Sequence, residues 1–470
     1  MNSSLAAALE IFGALGLVAF SALLFAAGFI GPTGAAHLTL ALLVALAALA
    51  WRNFSDGCHP GFFFLALLAL FQGGRLSAWG PEADTEIFRV TLMTSTQFDP
   101  PRDAAGTVLA ALALSAVAIY AVCRAGYRPP SPASAPSPAR FLPFFYWLFA
   151  LSLPVQLYKN YCYYAYARDH GGYLVFFVDH GGLAASVPAA VRAISLVSLP
   201  ALVAILVLEE RRPCARAAAA IYLAVAAPVL LAGSRGALFA LVLALWYLGL
   251  VRSRRRVRLR MLALVASALM LVGALVGSRR IENGETRAFA GPAQFLADQG
   301  LSLNVTEVAV VYRDRFRPHF LSYLASELES AFVAADQANY RPGTRFSDDV
   351  AMFLNPFTYQ LGFGGGSSYI AEAYVGGGLL GVVLASLAAG GLLTALERAA
   401  RHPLGLFLVV LVLPDVLWMP RGGLADWISA SLRVALSLLL LTAGWTCCRT
   451  LAWLGGVLAA PPPPAAANLS

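Results

Sequence analysis

Six arginines stand where a cation is costly. Arg192 and Arg433 fall just inside the outer ends of two long apolar stretches, and Arg279 and Arg280 directly follow a third. Arg235 and Arg421 occupy the tight turns Gly233-Ser234-Arg235-Gly236 and Pro420-Arg421-Gly422-Gly423. Charges placed this close to a bilayer tend to line cavities or pathways. For any single arginine, snorkelling or pairing at a helix end is an equally good explanation. As a set at one depth they point to an anion site, because a guanidinium stays charged and binds two phosphate oxygens at once. The anion expected at that depth is the diphosphate of a lipid carrier.

Two residues are candidates for moving a proton. Glu372 lies in the run from Gly362 through Ser367-Ser368 to Tyr374. A helix beginning near Ser367 puts Ser368 and Glu372 one turn apart on one face. A carboxylate entering the membrane there is either paired with an arginine, the slightly favoured reading, or used as a base. His319 has a suitable unperturbed pKa of about 6.5, although a lone loop histidine is more often a polar contact. The glycines before Ser367 are not a nucleotide fingerprint, since no strand precedes them.

Groups suited to a sugar ring cluster elsewhere. Tyr158, Tyr161, Tyr163, Tyr164, Tyr166 and Tyr173 surround Arg168. A tyrosine offers a flat apolar face and a hydroxyl, and the same density also makes an interfacial aromatic belt. Tyr166, Arg168 and Tyr173, with Arg345, Asp348 and Tyr374 further on, are the sugar-binding candidates. Asp169-His170-Gly171-Gly172 recurs as Asp179-His180-Gly181-Gly182, which reads as a paired turn rather than a metal site.

The elements that position these groups are membrane helices. Hydrophobic residues make up 59% of the chain and charged ones 12%, against roughly a quarter charged in soluble domains. A span needs about 20 mostly apolar residues. Twelve such stretches lie near 5–30, 35–51, 60–76, 104–122, 141–158, 188–208, 217–233, 236–251, 261–278, 373–396, 403–419 and 428–447. The expected fold is therefore an all-α polytopic membrane protein. The first stretch lacks a basic leader and is about twice the usual signal-peptide core, so it is read as retained.

Arginine distribution sets the orientation. The densest basic run, Arg252 to Arg260, should be cytoplasmic, and alternation then places Arg52, Arg124, Arg128, Arg140, Arg211, Arg212, Arg216, Arg398, Arg401 and Arg449 on the same side. Only Glu10, Asp56, Glu209, Glu210 and Glu397 oppose them, so the formal net charge of +8 is a topology signal and not a nucleic-acid footprint. Both termini fall inside. Only Cys162 falls outside, and no metal-ligand cysteine spacing exists, so neither a disulfide nor a structural metal is expected.

The chain then divides into helices 1–4 (1–122), a Pro/Ser/Ala-rich cytoplasmic linker (123–140), helices 5–9 (141–278), a large outer loop (279–370), helices 10–12 (371–447) and a cytoplasmic tail (448–470). A loop that long should contain its own helices. Within it Phe320, Leu324, Leu328 and Phe332 recur every four residues, which predicts an amphipathic helix at the membrane interface.

These outer segments, in this order, resemble the Wzy-type oligosaccharide repeat-unit polymerases. The resemblance is carried by Tyr166-Ala-Arg168 with Gly171-Gly172-Tyr173, the Gly233–Gly236 turn, and Gln299-Gly300-Leu-Ser302. Gly364–Ser368 running into Ile370-Ala-Glu372-Ala-Tyr374 with Gly376–Gly378 follows, and the Pro420-Arg421 turn completes it. It covers roughly the last two thirds of the chain, and helices 1–4 add nothing beyond hydropathy. It implies a GT-C-like glycosyltransferase that moves a growing glycan from undecaprenyl diphosphate onto a sugar hydroxyl of a new lipid-linked unit in the bacterial inner membrane. It implies no cofactor, metal or nucleotide sugar, and leaves room for a chain-length-determining co-polymerase. The related O-antigen ligases, with lipid A–core as acceptor, are the alternative. A transporter or flippase of lipid-linked sugars would predict midplane charges and repeated halves, which are not evident.

Overall fold

The computed structural model describes residues 3–54, 59–77, 90–91, 97–98, 102–128, 141–170, 180–232, 236–253, 257–258, 281–282, 285–286, 299–329, 341–354 and 366–429. Single positions among 260–267, 296, 356–359 and 431–450 are described as well. Its helices are α1 (Ser3–Ala26), α2 (Pro32–Phe54), α3 (Pro60–Phe71), α4 (Gly74–Ser77), α5 (Arg102–Gly126), α6 (Leu142–Asp169), α7 (His180–Ala185), α8 (Ala189–Ser195) and α9 (Ser198–Leu208). They continue as α10 (Arg212–Leu231), α11 (Gly236–Ser253), α12 (Ser302–Val311), α13 (Arg313–Phe316), α14 (Phe320–Glu329), α15 (Phe346–Leu354), α16 (Tyr369–Ala399) and α17 (Pro403–Trp418). Two antiparallel pairs of two-residue strands are the only sheet among the described residues.

Among the described residues, five helical segments are long and apolar enough to cross a membrane: Ala6–Ala26, Pro32–Phe54, Asp103–Gly126, Ala189–Leu208 and Tyr369–Ala399. Shorter apolar helices include Pro60–Phe71, Ser302–Val311 and Pro403–Trp418. The helical membrane class therefore stands on five long spans, where hydropathy alone gave twelve. The stretches at 261–278 and 428–447 lie largely outside the described residues. The long helix α6 carries inward polar groups. Gln156 donates to Asn160 (3.0 Å), Asn160 donates to the Val225 carbonyl (2.8 Å), and Ser198 donates to Gln156 (3.3 Å). Such bonds join helices where apolar contact gives little preference for one neighbour over another.

The main core is aliphatic and aromatic, and in it α16 packs extensively against α5. A second core joins the segment before α16 to that helix, through Val305, Val308, Phe316, Tyr323, Phe346, Val350, Ala371 and Val375. Helix α12 is buried on every side, from Ser302 through Ala309. Helix α14 turns a different face inward from the one its leucine spacing suggested. Tyr323 is buried and Glu327 half-buried, while Leu328 is 43% exposed. The Tyr323 hydroxyl donates to Asp349 (2.6 Å), which also accepts from the Gly343 amide (2.9 Å).

Candidate active site at the head of helix α16

Ser368 has extended backbone (φ −156°, ψ 129°), and its hydroxyl accepts from the Ile370 amide (3.3 Å), the geometry of a helix N-cap. The helix therefore starts one residue later than the sequence suggested, and Ser367, not Ser368, faces Glu372. The Ser367 hydroxyl donates to Glu372 Oε1 (2.6 Å), and the Leu424 amide donates to Glu372 Oε2 (2.8 Å). The carboxylate is 3% exposed. Among the described residues its partners are a hydroxyl and a backbone amide, and none is an arginine.

The turn that supplies this amide is closely packed. Met419 accepts from the Tyr369 amide (3.2 Å), tying the turn to the first residue of α16. Asp426 Oδ2 accepts from the Gly423 amide (2.6 Å), closing the turn. A Cβ at Gly423 would stand 2.8 Å from Asp426 Oδ1 and 3.0 Å from Glu372 Oε1, so both carboxyl groups crowd a position only glycine can fill. Glu327 of α14 faces the Asp426 and Glu372 carboxyl groups. Burial foremost, then the Asp426 and Glu372 charges, push Glu327 up to about 9, against the opposing pull of Arg345. Burial likewise raises Asp348, again with Arg345 opposing.

Arg421 lies beside this cluster. Its guanidinium stands 5.6 Å from the Phe71 ring and 5.7 Å from the Trp418 ring, and Nη1 donates to Gln299 (2.9 Å). Three separated segments, Gln299-Gly300, Ser367–Glu372 and Pro420–Leu424, thus meet in one place. On the next turns of α16 the Tyr374 ring faces the Arg313 guanidinium at 5.6 Å, and Arg313 donates to the Val375 carbonyl (3.3 Å). There the helix breaks at Gly378, whose φ of 61° favours glycine.

Other expected site residues lie elsewhere. His319 belongs to the 3-10 turn Arg317–His319, packed against Gly343 and near Tyr323 (ring centroids 6.3 Å apart). Tyr166 stacks on His170 at 4.0 Å, and Arg168 pairs with Asp169 at 2.9 Å on the exposed end of α6. Arg192 of α8 lies near Tyr163, with its Nε buried and lacking a hydrogen-bond partner. The Asp-His repeats are not alike: Asp169 ends α6, whereas His180-Gly181-Gly182 opens α7. Arg235, Arg279, Arg280, Arg433 and Tyr173 lie outside the described residues.

Glu327 and Asp426 were not singled out by sequence. Neither carries a local mark in the sequence, and both became visible through their places in the fold. Among the described residues no group of three or more His, Cys, Asp or Glu is arranged to hold a metal ion. What the site can do is accept one proton on a shielded, oriented carboxylate beside a stacked guanidinium.

No curated protein and no solved structure matches the chain. A family model does match, that of O-antigen polysaccharide polymerase Wzy, over residues 139–449. That stretch contains Glu372, Ser367, Leu424, Asp426, Glu327 and Arg421. The chain therefore belongs to the O-antigen polysaccharide polymerase Wzy family.

Proposed function

We propose that the chain polymerises undecaprenyl-diphosphate-linked oligosaccharide repeat units at the outer face of the bacterial inner membrane, with Glu372 as the base. The acceptor sugar hydroxyl attacks the anomeric carbon of the growing glycan. The bond from that carbon to the diphosphate breaks, the lipid diphosphate leaves, and the hydroxyl proton passes to Glu372. Arg421 lies where charge develops on the leaving diphosphate, and preorganised donors are most effective at such a point. Arg192, Arg235, Arg279, Arg280 and Arg433 are proposed to extend the anion site. Tyr166, Arg168, Tyr173, Arg345, Asp348 and Tyr374 are proposed to hold sugar, and His319 is the second candidate base. Both termini are placed in the cytoplasm and residues 279–370 in the periplasm.

The observation that carries this reading is the convergence of Gln299, Ser367–Glu372 and Pro420–Leu424 on one buried carboxylate, inside the matched stretch of a polymerase family. Surface glycan from cells lacking the protein tests it on a gel. The reading predicts lipid A–core capped with a single repeat. Uncapped core would identify a ligase instead.

A further inference from the structure

The first 138 residues lie outside the family match, and their hydropathy gave no hint of a part in the site. Two adjacent side chains among them reach it, Phe71 beside the Arg421 guanidinium and Gln72. Gln72 follows α3 directly, and its side chain is fully buried. Its Nε2 donates to Ser368 Oγ (2.8 Å) and to the Pro420 carbonyl (2.7 Å), and its Oε1 accepts from Thr306 Oγ1 (3.4 Å). The carbonyl of Pro420 can only accept, which fixes the amide orientation and places both amide hydrogens between two acceptors. The backbone is locked at the same place. A Cβ on Gly300 would stand 2.1 Å from the Arg75 nitrogen, and one on Gly74 would stand 2.6 Å from the Leu296 carbonyl oxygen.

The two acceptors of Gln72 belong to the two segments that hold Glu372. Ser368 adjoins Ser367, the donor to Oε1, and Pro420 opens the turn that ends in Leu424, the donor to Oε2. We propose that Gln72 is a positioning residue of the transfer reaction, an amide bridge that sets the separation of these segments and so the aim of the Glu372 carboxylate. The N-terminal helices are then part of the active site and not only an anchor. This rests on the reading of Glu372 as the base.

No common substitute keeps the bridge. Asparagine is one methylene too short to span both acceptors. Glutamate has no donor while ionised, and would set a negative charge against the Pro420 carbonyl. Methionine matches the length and makes neither bond.

The test uses the full-length protein in detergent or nanodiscs with lipid-linked repeat units, kcat and KM being taken per folded molecule. Gln72→Met should lower kcat roughly 10- to 100-fold, the cost of a reacting group misplaced by about 1 Å, with KM little changed. Gln72→Glu, taken as a ratio to wild type at the same pH because acid also weakens a carboxylate base, should be as poor at about pH 8 and recover at about pH 5.5, where a protonated carboxyl regains one donor. Gln72→Met should show no such recovery. Wild-type kcat in Gln72→Met overturns the proposal, as does a loss confined to the yield of folded protein. If Gln72→Met does not accumulate, Gln72→Glu prepared at the lower pH decides: activity relative to wild type that falls on raising the pH supports the bridge, and a pH-independent ratio refutes it. Glu372→Gln runs in parallel. If that variant is fully active, the base reading fails and the proposal with it. If it is inactive while Gln72→Met is normal, the bridge alone fails.

Discussion

Replacing Glu372 with glutamine separates chemistry from structure, because the site can accommodate the amide. Oε2 must stay an acceptor, since the Leu424 amide at 2.8 Å can only donate. Oε1 meets a hydroxyl at 2.6 Å, and a serine hydroxyl can rotate to accept from an NH₂ group. Both bonds therefore survive in Glu372→Gln, weakened from charge-assisted to neutral, roughly 1 kcal/mol each. Removing a charge from a site 3% exposed offsets part of that loss. The net change in stability should be within about 2 kcal/mol, a small shift in melting temperature. Loss of a general base should lower turnover about 10²- to 10⁴-fold. Glu372→Ala is the structural control: it strands the Leu424 amide and the Ser367 hydroxyl, at about 1–3 kcal/mol each. Melting in detergent measured beside polymer formation reads both quantities. A Glu372→Gln protein that melts normally and polymerises at the wild-type rate would refute the base assignment, and His319 would be tested next. One that melts much lower yet keeps its turnover per folded molecule would make Glu372 structural.

Glu327 is held near 9 when folded and about 4.3 when unfolded, so its contribution to stability is complete below about pH 4.3 and is lost as pH rises through about 9. Glu327→Gln, permanently neutral, should flatten the fall in melting temperature between about pH 5 and 9, and an unchanged slope would count against a raised Glu327. Gly300→Ala should lower melting temperature and membrane abundance by an overpacking cost of roughly 1–3 kcal/mol, because its Cβ would meet the Arg75 backbone at 2.1 Å; normal melting would contradict the close approach. Arg421→Lys should lose nearly as much chain extension as Arg421→Ala, since an ammonium cannot stack on Phe71 and Trp418 as a planar fork does; full rescue by lysine would reduce the requirement to charge alone. In a background lacking native cysteines, a cysteine at position 130 should label only from the cytoplasm and one at position 340 only from outside, and the reverse would overturn the orientation.

Sequence reached the membrane class and the segments that meet at the site, because both are written in local composition: apolar runs, glycine-serine approaches to a helix, and arginine turns. It singled out Glu372 as a candidate but not the groups that hold it. Whether Ser367 or Ser368 faces the carboxylate depends on which of the two caps the helix, a difference of one residue in where α16 begins. The Gln72 bridge spans 296 and 348 positions of sequence to its acceptors, and a lone glutamine after an apolar helix carries no local mark of that. The spacing of Phe320, Leu324 and Leu328 gave no mark of Glu327, whose burial depends on tertiary packing beside the buried Tyr323–Asp349 hydrogen bond.

The central claim is repeat-unit transfer between lipid-linked substrates with the lipid diphosphate as leaving group. The most direct measurement incubates the purified protein in proteoliposomes with a radiolabelled lipid-linked repeat unit and no other sugar donor. The account predicts a ladder of products one repeat apart, with one lipid diphosphate released for each repeat added and no ladder from Glu372→Gln. A single transfer that occurs only when lipid A–core is supplied, or movement of the labelled unit across the bilayer with no new glycosidic bond, would contradict it.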